Sequence, residues 1–150
     1  SVEHGVFSSN FAGELDLKTS ITDWLMGFSD EKDVTYVRSF LGRMLFAGDD
    51  ALKNLNVLSG GEKVRVMLSK LMLEGPNVLI LDEPTNHLDM ESITALNNAL
   101  IRFPSTLLIT SHDYQIVAST VNRVIVFNND GTITDYLGTM DEFMATSNKA

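Results

Sequence analysis

The stretch Leu79-Ile80-Leu81-Asp82-Glu83-Pro84-Thr85-Asn86-His87-Leu88-Asp89 decides the fold. Its apolar opening is too short for a helix and too uniform for a half-solvated strand. It therefore predicts a strand over Asn77 to Asp82, buried on both faces. Such strands belong to parallel α/β sheets, whose carboxyl ends are where ligands meet them. Asp82 and Glu83 stand at that end. Two unit charges ~4 Å apart repel by about 4 kcal/mol at an effective dielectric near 20, unless a cation or polarised water lies between them. The economical chemistry is a magnesium ion near Asp82 and a water held by Glu83. An isolated Asp-Glu pair more often ends a strand as solvated charge, and only the flanking segments reverse that preference.

Downstream, Met90 to Phe103 has helical spacing, Thr106 to Ser111 is a second apolar run, and Tyr114 to Val121 is helical again. This alternation predicts a parallel sheet. His112 follows the second run. Neighbouring strands lie ~4.8 Å apart, which brings His112 to within roughly a side-chain length of Glu83. A neutral imidazole there would donate to a terminal phosphate and orient the attacking water. A histidine after a strand is more often structural, so His112 gains its weight only from the partner strand. His4 and His87 have no such support as catalytic groups. Arg123 to Phe127, a turn at Asp130-Gly131, and Thr132 to Leu137 predict a hairpin, and Thr139 with Glu142 caps a last short helix.

Upstream lies Leu58-Ser59-Gly60-Gly61-Glu62. Ser59 and Glu62 form the S-x-x-E capping box, Val64, Met67, Leu68 and Leu71 supply an apolar helix face, and Gly75-Pro76 stops it. The helix start is also an anion site. Its free N–H groups point outward, and Gly60 and Gly61 present no Cβ to an approaching phosphate. A plain helix start would look the same, so these five residues alone leave both readings open. Before this helix, the chain to about Lys18 reads as weakly structured. Ile21, Trp24, Leu25 and Phe28 predict a helix capped by Ser20, and Val34, Val37, Leu41 and Leu45 another behind Asp30, ended by Gly48, Asp49 and Asp50. Trp24 and the methionines Met26, Met44, Met67, Met72 and Met144 are expected in the core. The expected division is a helical part over about 19–75 and an α/β part over 76–150.

The chain has 150 residues, 44% hydrophobic and 21% charged, which are globular values, and length alone suggests one domain. There is no cysteine, which excludes disulfides and thiolate metal sites and fits a cytoplasmic protein. No apolar run approaches the ~20 residues of a bilayer span, so no membrane contact is expected. A net charge of −9 with scattered basic residues excludes an extensive direct nucleic-acid face, because phosphate binding needs clustered Lys and Arg.

These segments resemble the signature (LSGGE), Walker B (LILDEP), D-loop (Asn86-His87-Leu88-Asp89) and switch histidine (Ser111-His112-Asp113) of ABC ATPases. The wording EPTNHLD is similar to the ABC-F family, soluble tandem ATPases of which many act on the ribosome. Phe40 to Phe46 and Ser92 to Asn98 resemble the second ATPase domain of that family, and the likeness covers about residues 20–147. It implies a partial P-loop NTPase fold: a helical signature subdomain followed by the C-terminal half of the parallel-sheet core. By the resemblance, ATP and Mg2+ are the ligands, with Asp82 holding the metal through water, Glu83 the general base and His112 on the γ-phosphate. Ser59, Gly60, Gly61 and Glu62 would bind an ATP held by a second ABC ATPase domain that supplies a Walker A loop, and Asn86, His87, Leu88 and Asp89 would join the two sites.

The chain departs from the family in one decisive place: no G-x-x-x-x-G-K-[ST] occurs in it. The nearest sequence, Gly13 to Thr19, lacks the second glycine. The family's Q-loop glutamine is also missing, with Ser8, Ser9 and Asn10 in the aligned stretch. The expected parent hydrolyses ATP as a tandem ABC-F ATPase, with the ribosome as its expected partner, while this chain alone is expected to be inactive. Competing readings are a non-catalytic interaction module that keeps the fold, and the ATPase subunit of an ABC transporter. A Rad50-like or SMC-like head fits worse, since no long coiled coil precedes the signature.

Overall fold

The structure, a computed structural model, describes residues 2–7 and 18–147. It divides into two compact units, residues 1–110 and 111–150. The first unit is α/β. Its elements are β1 (His4–Phe7), α1 (Ile21–Met26), α2 (Val34–Arg43), 3₁₀ turns at Gly48–Leu52 and Leu55–Val57, α3 (Gly60–Glu74), β2 (Val78–Asp82), α4 (Met90–Ile101) and β3 (Thr106–Thr110). The strands form a parallel sheet in the order β1-β2-β3, with Val6, Ile80 and Leu108 in one cross-strand row and Phe7, Leu81 and Ile109 in the next.

Strand β1 lies where a weakly structured N-terminus was expected. Its four residues carry no alternation of their own, and pairing with β2 is what makes them a strand. Gly5 shows why: a Cβ there would stand 3.1 Å from Pro76 Cγ and 3.2 Å from Leu71 Cδ2. The bare glycine lets the end of α3 pack onto the strand. Leu79 and Leu81 are fully buried, each stabilising the fold by about 1.5–3 kcal/mol. The expectation that β2 is buried on both faces is corrected. Ile80 is only half-buried, and its row neighbours Val6 and Leu108 are 56% and 52% exposed.

The helices follow their caps. Ser20 Oγ accepts the Asp23 N–H at 3.1 Å at the start of α1. For α2 the cap is Asp33 rather than Asp30: its carboxylate accepts the Thr35 N–H at 2.8 Å, satisfying one of the free donors of the first turn. The predicted α3 face, Val64, Met67, Leu68 and Leu71, is buried, and Gly75 closes the helix in the left-handed conformation with φ 59°. Trp24, Met44 and Met67 are core, and Met26 and Met72 are half-buried. Met144 is exposed, against expectation, and Phe28 is exposed as well. Phe28 lies past the end of α1, edge-on to Trp24 at 4.8 Å with the Lys70 ammonium 4.4 Å over its ring.

The second unit holds α5 (Tyr114–Thr120), the antiparallel hairpin β4 (Arg123–Phe127) and β5 (Ile133–Leu137), and α6 (Met140–Ser147). Gly131 turns the hairpin with φ 83°, and Thr139 and Glu142 exchange side-chain and backbone bonds at the start of α6. Gly13 to Leu17 and Ser8 to Asn10 lie outside the described residues.

Candidate functional site

Asp82 ends β2, in register with Thr110 at the end of β3. The Thr110 hydroxyl donates to Asp82 Oδ1. The Glu83 N–H donates to the Thr110 carbonyl at 2.9 Å, with the hydroxyl oxygen of the same residue 3.4 Å away. One threonine thus fixes both acidic positions at the carboxyl edge of the sheet. Sequence reasoning missed it, although a polar residue closing the run Thr-Leu-Leu-Ile-Thr was the available signal. Glu83 has φ 46° and His87 φ 68°. Left-handed backbone costs a non-glycine residue about 1–2 kcal/mol, so this segment stores strain where the sequence placed its chemistry. The turn between them is held by the Asn86 N–H on the Glu83 carbonyl at 3.2 Å and the Leu88 N–H on the Thr85 carbonyl at 3.1 Å.

The start of α3 carries the full capping box. Ser59 Oγ accepts the Glu62 N–H at 3.2 Å, and Glu62 Oε2 accepts the Ser59 N–H at 2.8 Å. The Ser59 N–H, and after it the Lys53 ammonium, hold the Glu62 carboxyl below its ordinary range. The two glycines differ in their surroundings. A Cβ at Gly60 meets nothing within 4 Å, whereas at Gly61 it would stand 3.1 Å from the His87 carbonyl oxygen. The Asn86–Asp89 loop thus lies against Gly61 and leaves little room for a Cβ.

Asp89 ends that loop and caps α4, accepting the Ser92 N–H at 2.8 Å. The Ser92 side chain and N–H lower its pKa, with a smaller contribution from Arg65 of α3. Arg65 also donates to the Met44 carbonyl at 2.8 Å and lies over the Phe46 ring. It was not singled out in the sequence. Through Gly61 and Arg65, α3 and the Asn86–Asp89 loop pack together in the first unit.

His112 is the second residue of the second unit, exposed, in a bend where Ser111 Oγ accepts the Asp113 N–H at 3.0 Å and Asp113 caps α5. Asp82, Glu83, Ser59 to Glu62 and Asn86 to Asp89 thus belong to the first unit, and His112 to the second. Among the described residues, no group of three or more His, Cys, Asp or Glu is arranged to hold a metal. One exposed carboxylate beside a hydroxyl fits a magnesium ion that arrives with nucleotide phosphates and keeps several waters, rather than a protein-caged ion.

A family model described as ABC transporter matches residues 3–86. The chain is 56% identical over 126 residues to YkpA of Bacillus subtilis strain 168, an uncharacterized ABC transporter ATP-binding protein, covering 83% of this chain and 23% of that protein. It is 41% identical to the probable ATP-binding protein YbiT of Escherichia coli O157:H7, over 93% of this chain and 26% of that one. It is 39% identical to the energy-dependent translational throttle protein EttA of Escherichia coli K12, over 71% and 19%. The chain belongs to the ABC ATPase family and is of ABC-F type. It spans about a quarter or less of the length of these curated relatives.

Proposed function

We propose that these residues are the C-terminal part of the second ATPase domain of an ABC-F protein, with a helical part over about 19–75 and core over 76–150. The intact parent hydrolyses ATP in the cytoplasm and acts on the ribosome. The observation that carries this reading is the acidic pair at the sheet's carboxyl edge, with Asp82 and Glu83 both fixed by Thr110. In the intact protein Asp82 holds magnesium through water, Glu83 is the general base, and His112 donates to the γ-phosphate. Ser59, Gly60 and Gly61 complete a different ATP site, whose phosphate loop belongs to a partner domain, and Asn86 to Asp89 connect the two. The throttle protein named above supports the link to translation.

The row Val6, Ile80 and Leu108 also supports the division into halves. Parallel sheets are covered on both faces, and this row is the surface on which a phosphate-loop half would pack. Without that loop and its lysine, Asp82, Glu83 and Asp89 face a polyanion with little compensation, so the chain alone turns over no ATP. Steady phosphate release from the purified 150 residues would overturn this. With a polypeptide carrying the G-x-x-x-x-G-K-[ST] half restored, turnover is expected, and Glu83→Gln should retain ATP without hydrolysing it. Unchanged turnover in Glu83→Gln removes Glu83 from the base role.

A further inference from the structure

The signature helix carries a glutamate, Glu62, at its third residue, and that carboxylate sits beside the backbone groups read above as a γ-phosphate site. An uncompensated negative charge there opposes the ligand. The structure shows what balances it. Glu62 uses Oε2 to accept the Ser59 N–H at 2.8 Å, and its other oxygen, Oε1, lies 3.5 Å from the Lys53 ammonium. Lys53 is anchored on the far side by Asp50 at 2.7 Å. Its backbone is fixed as well, since the Lys53 carbonyl accepts the Ile21 N–H at 2.9 Å and the Lys53 N–H donates to the Asp50 carbonyl at 3.3 Å. The 3₁₀ turn before the signature therefore presents this ammonium from a defined backbone.

We propose that Lys53 is a positioning residue for the signature segment: it offsets the Glu62 charge and holds that carboxylate on the Ser59 N–H, leaving the helix end open to an anionic ligand. The proposal rests on the reading of Ser59 to Gly61 as a phosphate site. It gives Glu62 two separable effects, a cap that any acceptor supplies and a charge that needs a cation nearby. The raised pKa of Lys53, due first to Asp50 and in lesser part to Glu62, agrees with an ammonium held between two carboxylates.

The test is a titration of the isotopically labelled 150-residue chain with inorganic phosphate and, separately, with MgATP, read at the Ser59, Gly60, Gly61 and Glu62 amides. Lys53→Met is expected to weaken the phosphate response about threefold, as the loss of one partly exposed charge should, and Lys53→Arg to preserve it. The double variant Lys53→Met with Glu62→Gln is expected to recover the original affinity, since removing the glutamate charge removes the need for its counterion. A merely structural lysine would not be rescued in this way. Unchanged affinity in Lys53→Met, or a double variant no better than the single one, overturns the role of Lys53 alone. A complete lack of response in the unaltered chain, also when MgATP is added together with a polypeptide carrying the phosphate-loop half, overturns the phosphate-site reading itself.

Discussion

At the scale of single residues, glycine identity and backbone sign distinguish positions that look alike in the sequence. Gly60 and Gly61 are adjacent, yet only Gly61 faces backbone, the His87 carbonyl. Gly61→Ala is expected to cost about 1 kcal/mol through overpacking, while Gly60→Ala should stay within about 0.5 kcal/mol of the original. Urea unfolding checks the difference, and amide shifts at His87 and Leu88 should move for Gly61→Ala alone. His87, exposed at φ 68°, offers a second check. His87→Gly relieves the left-handed strain but loosens the unfolded chain, for an expected net gain of about 0.5–1 kcal/mol. A lower midpoint would mean that the imidazole makes contacts worth more than its strain. The acidic pair was legible in the sequence because strand-end carboxylates are encoded by adjacency. Thr110 and Lys53 were not, because their partners lie 28 and 9 residues away and only folding brings them together.

At the scale of elements, caps carry much of the local specificity, and most were legible because a cap is encoded within four residues. Ser59 with Glu62, and Thr139 with Glu142, form the reciprocal bonds their spacing requires. Strand β1 was not legible, because register with β2 rather than its own pattern defines it, and the choice between Asp30 and Asp33 turned on geometry one turn long. Ser59→Ala is expected to cost about 1 kcal/mol of stability. The caps also set an acid limit. Glu62 and Asp89 have folded pKa values lowered by the N–H and side-chain donors of Ser59 and Ser92 respectively. Groups depressed in the folded state contribute stability above their unfolded values, about 4, and lose it as pH falls through the folded ones. Thermal midpoints should therefore drop as pH falls below about 4. Combining Glu62→Gln with Asp89→Asn should flatten that drop while leaving both caps in place. An equally steep drop in the double variant would assign acid sensitivity to other carboxylates.

At the scale of the whole molecule, the α/β class was readable from alternating runs, but the burial of those runs was not, because burial depends on what covers the sheet. Leu79 and Leu81 have partners, whereas the adjacent row runs from Val6 at 56% exposure through Ile80 to Leu108 at 52%. In the second unit Phe127 and Leu137 are 78% and 84% exposed on the hairpin. Two exposed apolar surfaces on 150 residues favour association, since a soluble monomer rarely leaves such patches open. The chain is accordingly expected to bind a hydrophobic dye and to self-associate at tens of micromolar, as read by sedimentation. Val6→Thr with Leu108→Thr keeps strand-compatible branching while removing apolar surface, so it should reduce both signals with little change in thermal midpoint. If instead that pair unfolds the chain, the row is already covered in solution and the half-domain reading loses its physical support. If a polypeptide carrying the phosphate-loop half lowers dye binding of the unaltered chain but not of the double variant, the row is its docking surface.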